Sequence, residues 1–416
     1  MKIIVVGGGA AGMMAACAAA ERGAEVVLIE RNSQLGIKIN ITGKGRCNVT
    51  NDSEPETLIR NTVTNGRFLY SAFSALSAQD TMAFFEQLGV PLKVERGKRV
   101  FPVSDRARDI SGALRTRLHR LGVQIVQHRV KGLLTENGRV CGVLLPDGSA
   151  LPADRVIVAT GGRSYPRTGS EGDGYRMAQA VGHTVSPQRP SLVPLLTEEA
   201  WVEELEGLSL KNVRLTVSKD GKRIFQDFGE MLFTGKGISG PLVLSASANL
   251  NGKKHTYPYQ AEIDLKPALD ADTLDKRLLR DFEENINRDF SNALSHLLPA
   301  KLIPVMIRLC GIPGQQKVHT VTRAQREALC RLLKSFPLTV TAAGSWEEAV
   351  VTAGGVAVKE IDPRTMQSRL VRGLYFAGEL LDVDAYTGGF NLQIAWSTGF
   401  CAGRAAAEGE DTNVCL

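Results

Sequence analysis

The chain opens MKIIVVGGGAAGMMAACAAAERGAEVVLIE, and no other stretch restricts its fold as tightly. Ile3–Val6 is an apolar run that enters Gly7-x-Gly9-x-x-Gly12, and an alanine-rich helical pattern follows to Gly23. A second apolar run, Val26–Ile29, stops on Glu30. This is the order of a βαβ unit whose strand-to-helix turn holds a diphosphate. Gly7 allows the tight turn, Gly9 lets the backbone approach the phosphates, and Gly12 lets helix and sheet pack closely. Ala10 and Ala11 begin the helix, whose N-terminus carries partial positive charge and free N–H groups. Glu30, eighteen positions past Gly12, is placed to accept ribose hydroxyls. The opening therefore predicts a bound ADP-containing dinucleotide. No second glycine fingerprint of this kind follows, so a dedicated nicotinamide domain is not indicated.

At 416 residues the chain has room for two or three cores. The N-terminal apolar run is too short for a membrane span and is already used as a strand, and no later run reaches spanning length. Seven cysteines, an odd number without a C-x-x-C, point to reduced thiols in a cytoplasmic protein. No Cys/His cluster has metal-ligand spacing, so no metal is expected; the oligomeric state is not written in the sequence. Net charge is only +6, but residues 93–131 hold eleven basic side chains against Glu95, Asp105 and Asp109. Two readings of that stretch stand: a solvated helix face around 106–120, or an electropositive surface for an anionic partner such as a nucleotide, a CoA thioester or RNA. Phe101 is its only aromatic residue, so base stacking is not advertised.

After Glu30, Gly36–Asn48 forms a small-residue cationic loop at the carboxyl edge of the expected sheet. Residues 66–88 read as one helix and 107–121 as an amphipathic helix; 123–126 reads as the next parallel strand. Val130–Leu145 reads as antiparallel strands closed by Asp147-Gly148. Val156–Gly162 is a buried strand ending in Thr160, Gly161 and Gly162. From about residue 191 the pattern alternates with period two, which signals antiparallel sheet. Gly235–Pro241 reads as a hinge-like loop, and Thr273–Leu298 as a helix with an apolar residue every fourth position. Thr322-x-x-Gln325 has the form of a capping box. Gly373–Glu379 is again a strand, and a helix over 392–407 starts behind Gly388-Gly389.

These motifs together are recognisable. The fingerprint Gly7–Gly12, TGKGRCN (Thr42–Asn48), ATGG (Ala159–Gly162), LFTGKGISGP (Leu232–Pro241), TAGGV (Thr352–Val356) and FAGELLDVDAYTGGFNLQIAWSTG (Phe376–Gly399) resemble the BaiN/RdsA family of FAD-dependent oxidoreductases. The likeness runs along essentially the whole chain. It implies an α/β fold: a split Rossmann-like, glutathione-reductase-type FAD domain with an inserted antiparallel β-barrel-like domain and a small helical subdomain. The expected boundaries are 1–190 for the first part of the FAD domain and 191–269 for the first part of the β-rich domain. The helical subdomain follows at 270–337, the returning strands at 338–365, and the rest of the FAD domain at 366–416. The resemblance further implies FAD contacts at Gly7, Gly9, Ala10, Ala11, Gly12, Glu30, Arg31, Lys38, Thr42, Gly43, Gly45, Arg46, Val130, Thr160, Gly161, Gly378, Glu379, Gly389, Phe390, Asn391 and Leu392.

The implied chemistry is hydride transfer between flavin N5 and a carbon–carbon double bond beside a carbonyl, with NAD(P)H as a transient reductant. Tyr386 and Cys47 are candidate acids, and Arg99 a candidate clamp for an anion or carbonyl. Tyr386 and Cys47 each also fit a packing role. Substrates implied by the family include the uracil ring of ribosomal RNA and small molecules such as steroid-CoA intermediates or amines. A flavin-containing RNA-binding protein with structural FAD is a further reading. Gly235-Lys236 departs from the His that many relatives carry after LFT, and Ala385-Tyr386-Thr387 belongs to one branch only.

Overall fold

The sheet at the centre of the fold is parallel and continuous in its apolar runs, because both of its faces are covered. The computed structural model describes residues 1–250 and 256–408. Its five strands lie in the order Leu374–Phe376, Arg155–Val158, Lys2–Val6, Glu25–Glu30, Gln124–Gln127. All neighbours run parallel, with Val5 opposite both Ile157 and Leu28. Parallel alignment puts the carboxyl ends of all five at one edge. Gly7, Glu30, Thr160 and Glu379 therefore gather there, although the chain between the first and last of them is 371 residues long (379 minus 7, less one).

Two helices that bracket the chain pack backbone to backbone against each other. Ala10–Ala20 is buried on nearly every side, which its all-round apolar composition anticipates. Its partner is Phe390–Glu408. A side chain on Gly399 would lie 2.3 Å from Ala11 O, and one on Gly403 would lie 2.1 Å from Ala15 O. Alanine facing glycine is what permits so close a crossing.

The chain divides into two compact units, Met1–Ser191 with the chain from Trp346 onward, and Leu192–Ser345. The second is built on a closed six-stranded barrel, in the order Leu195–Thr197, Gly237–Ser239, Lys222–Thr234, Ser209–Lys219, Tyr259–Asp264, Phe336–Ala343. Its neighbours are antiparallel. Helices Ala271–Glu284, Phe290–Ala293, Leu302–Cys310 and Arg323–Lys334 fall between its last two strands.

Several sequence expectations need correction. Gly235–Pro241 is not a hinge: Gly237–Ser239 is a barrel strand, and Gly237 is needed because a Cβ there would meet Leu195 O at 2.0 Å. The expected helix over 273–298 ends at Glu284, and Ile286, which belonged to its apolar stripe, is 50% exposed. The helix expected over 66–88 breaks at Leu76, after which Ser77 opens Ala78–Gln87 through a capping box with Asp80. The stretch 346–365, expected with the barrel, falls in the first unit. Val351–Ala353 pairs there with Arg189–Ser191, and Val356 and Ile361 join the core beneath the parallel sheet. The expected 366–416 segment runs beyond the described residues at its end. The capping box at Thr322 and Gln325 is present as read.

Among the described residues six cysteines are free thiols, and no helix is long and apolar enough to cross a membrane. No group of three or more His, Cys, Asp or Glu side chains there is placed to hold a metal ion.

Candidate cofactor site

The three fingerprint glycines separate by what surrounds them. A Cβ on Gly12 would sit 1.8 Å from Gly7 O, and one on Gly7, at φ +106°, would sit 2.5 Å from Ala159 O. Those two are demanded by packing. Gly9 has nothing within 4 Å of its Cβ position, and it heads the helix Ala10–Ala20 without a side-chain cap. Open space before an uncapped helix N-terminus is what a diphosphate requires. Glu30 lies beside it: its Oε2 accepts the Gly8 amide at 2.7 Å, and its Oε1 accepts the Asn32 amide at 2.9 Å and side chain at 2.8 Å. These bonds fix the carboxylate at the end of its strand. The His128 amide donates to Glu30 O at 2.9 Å, so the segment leading to buried Val130 runs along the same edge.

The loop after Glu30 is built from left-handed backbone. Gly43, Lys44, Gly45 and Cys47 have φ of +55°, +59°, +85° and +61°. Glycine meets that demand without cost, whereas Lys44 and Cys47 carry strain of about 1 kcal/mol or more each. Thr42 anchors the turn by donating its hydroxyl to Ile39 O at 2.7 Å. Asn48, oriented with its amide nitrogen toward Val100 O at 3.2 Å and Thr50 O at 3.0 Å, accepts the Gly389 amide at 2.9 Å. Asn51 donates to Gly388 O at 2.9 Å. The TGKGRCN loop is thus bonded directly to the glycine pair before the last helix. Gly389, at φ +97°, has no room for a side chain, since its Cβ would lie 2.3 Å from Thr50 O.

The rest of the last motif is bracing. Asn391 closes the turn before its helix, accepting the Ala385 amide at 3.0 Å and donating to Ala385 O at 2.7 Å. Gln393 is fully buried, donates to Leu76 O at 3.0 Å and Thr81 Oγ1 at 3.0 Å, and accepts from Thr50 at 2.5 Å. Trp396 donates to Val49 O at 2.9 Å. Gln393 and Trp396 are therefore the structural members of the motif. Gly388, Gly389, Asn391 and Leu392 are only partly buried, and Phe390 is 7% exposed.

Several expected contacts have protein partners. Arg31 is paired with Glu171 at 2.8 Å and also donates to Gly169 O. Arg46 is held by Asp105 at 2.6 Å and by Glu95, with its guanidinium 4.1 Å from the Phe101 ring centre. Both oxygens of Glu379 are occupied, as described below. Cys47 is fully buried, and burial pushes its thiol up to about 12 despite a hydrogen bond with Thr42. That removes it from proton chemistry near neutrality and favours the packing role. Arg99 donates to Arg96 O at 3.1 Å and lies 5.9 Å from the Phe101 ring centre, in the hairpin Leu92–Glu95/Arg99–Pro102. Half-buried Tyr386 donates its amide to Asn61 O at 3.0 Å. Asp384, two residues before it, is buried, and burial raises its carboxyl pKa above the usual range.

The residues fit FAD on two independent counts. Gly9 is an open cradle among closed glycines, and Thr160 carries a buried hydroxyl that has no partner among the described residues. The sequence reading missed the network around Ser164 and Thr352. Its only signal was that ATGG and TAGG end alike in small residues.

The model of the HI0933-like protein Rossmann domain matches residues 1–405. The chain is similar to a 3-dehydro-bile acid delta(4,6)-reductase of Clostridium scindens, 35% identical over 92% of this chain and 93% of the relative. It is also similar to a ribosomal RNA dihydrouridine synthase of Escherichia coli, 30% identical over 92% of each chain. Among solved structures, a 3-ketosteroid delta1-dehydrogenase of Sterolibacterium denitrificans, in complex with 1,4-androstadiene-3,17-dione, shares the fold. Its TM-score is 0.51 at 13% identity, over 98% of this chain and 99% of that one.

Proposed function

We propose that this chain, which belongs to the HI0933-like (BaiN/RdsA) family, transfers hydride between a flavin and a carbon–carbon double bond activated by a neighbouring carbonyl. It is an FAD-dependent oxidoreductase. The observation that carries the cofactor reading is Gly9, the one fingerprint glycine whose side-chain direction is open, at the head of an uncapped helix. When bound, FAD supplies the hydride chemistry at N5. The chain supplies the rest. Backbone N–H groups at Ala10–Gly12 face the diphosphate, and Glu30 is the ribose acceptor. The start of Phe390–Glu408 presents N–H groups and a helix dipole to the end of the flavin where negative charge develops. Tyr386 is the proton donor and Arg99 the carbonyl or anion clamp in this reading, with NAD(P)H as the reductant.

The named activities of the two relatives both saturate a ring double bond, and this supports reduction as the working direction. For the substrate, the cation surface supports an anionic partner. Lys93, Arg117 and Arg129 of the basic stretch are paired with acids. Arg96, Lys98, Arg99, Arg106, Arg108, Arg115, Arg120 and Lys131 make no ion pair among the described residues, which suits RNA or an acidic small molecule. The greater identity to the bile-acid enzyme favours the small molecule.

The test is anaerobic titration of the yellow protein with NADH and NADPH, followed by a dienone steroid or a uridine-containing RNA. Bleaching by one nicotinamide and reoxidation by one substrate are expected. A spectrum that neither nicotinamide changes sinks the reductase reading.

A further inference from the structure

Three segments far apart in the chain end on the carboxylate of a fourth. Glu379 Oε2 receives the Lys38 ammonium at 2.6 Å, while Oε1 receives the Ser164 hydroxyl at 2.8 Å and the Thr352 amide at 2.8 Å. The Thr352 hydroxyl in turn accepts the amides of Arg163 at 2.8 Å and Ser164 at 3.2 Å. Gly162 is forced by this arrangement, because a Cβ there would lie 2.2 Å from Thr352 Oγ1 and 2.6 Å from Glu379 Oε1. Burial alone would raise the pKa of Glu379, but the Lys38 ammonium and these donors outweigh it and hold the group below its usual range. Both oxygens of the carboxylate are engaged by the protein, which fixes its position.

The donor count then turns to Lys38. An ammonium has three N–H donors. Lys38 spends one on Glu379 and one on Ser164 Oγ at 2.6 Å. The third has no partner among the described residues, and the side chain keeps 23% of its exposure. This group stands at the carboxyl edge of the sheet, where a dinucleotide lies.

We propose that Glu379 is a positioning residue which holds Lys38 with its third N–H toward the bound flavin, and that the two charges together set how readily the flavin is reduced. This rests on the FAD reading above. A cation beside a flavin stabilises the extra negative charge of its reduced form, and a carboxylate opposes it. In the wild type the two nearly cancel. Removing either leaves the other uncompensated in a partly dry site, where its field is strong.

The experiment is the flavin midpoint potential of the holoprotein, measured at alkaline pH for wild type, Glu379→Gln, Lys38→Met and the double variant. Alkaline pH keeps the unpaired Glu379 of the lysine variant ionised. Near-UV circular dichroism checks that each variant is folded. Glu379→Gln is expected to raise the potential, Lys38→Met to lower it, and the double variant to return toward wild type. Shifts of the same sign, or none, overturn the proposal, because a purely structural pair has no reason to act with opposite signs. If Lys38→Met releases its flavin, Glu379→Gln decides alone, and an unchanged potential there overturns the inference. Failure of the wild type itself to hold FAD would overturn the cofactor reading instead.

Discussion

Two of the helices that begin behind glycines, one at the fingerprint and one at the last motif, are built in opposite ways. Ala10–Ala20 starts at Gly9 with no side-chain cap and open space in front of it. Phe390–Glu408 starts at a glycine pair gripped by Asn48 and Asn51, behind a turn that Asn391 closes through Ala385, and is anchored one turn on by Gln393. The first is a backbone device, sequence-tolerant wherever glycine is kept, and it suits a diphosphate that many proteins bind. The second fixes the backbone with side chains from distant segments, as a site must when a few tenths of an ångström govern a reacting atom. The same helix physics serves recognition at one end and precision at the other.

The largest effect that tests this contrast comes from the first helix. Gly12→Ala forces a methyl into Gly7 O and is expected to cost about 3 kcal/mol or more in urea unfolding of the apoprotein. Gly9→Ala is expected to change the same midpoint by less than about 1 kcal/mol while flavin retention falls. Equal destabilisation by the two would make Gly9 another packing glycine and erase the distinction. Next is Gln393→Leu, which leaves the buried Thr50 hydroxyl without its acceptor and takes one donor each from Leu76 O and Thr81 Oγ1, which keep bonds to Ser397 and Ser77 O. A loss of about 2–4 kcal/mol is expected. A loss below about 0.5 kcal/mol would mean that the bracing of the second helix is dispensable.

The smallest effect lies away from both helices. His183 is buried, with Nε2 2.7 Å from Ser368 Oγ and Nδ1 3.2 Å from Glu360. The amides of Leu370 and Val371 donate to Ser368 Oγ. That hydroxyl must then give its proton to Nε2, which leaves the imidazole neutral and protonated on Nδ1. Burial lowers its pKa despite Glu360. The stability it contributes is therefore complete above its unfolded pKa of about 6.5 and declines as pH falls from there to the lower folded value. His183→Asn should flatten that part of a stability–pH curve. A variant curve as steep as wild type would remove His183 from the acid response.

What was legible in the sequence was whatever neighbouring residues decide. The βαβ opening, the strand ends at Thr160 and Glu379 and the capping box at Thr322 all rest on contacts within a few positions. Ser77 with Asp80 was legible too, but the apolar spacing on both sides of Leu76 concealed the break. Gly237 was misread because a glycine between glycines looks like a loop. Its real constraint is Leu195 O across the barrel. The pairing of Arg46 with Glu95 and Asp105, and the capture of Glu379 by Lys38, Ser164 and Thr352, depend on partners that no local pattern encodes. A motif match can place such residues at a site, but it cannot say which of them already spend their bonds on one another.

The bond from Lys38 to Glu379 spans 341 positions and that from Thr50 to Gln393 spans 343. A chain emerging from the ribosome would complete its fingerprint turn almost at once, yet would hold neither bond until Glu379 and Gln393 were made. Closing loops of that length is slow and comes late in folding. The junction of the first and last motifs is thereby made only after the segment around Glu379–Gln393 has been synthesised.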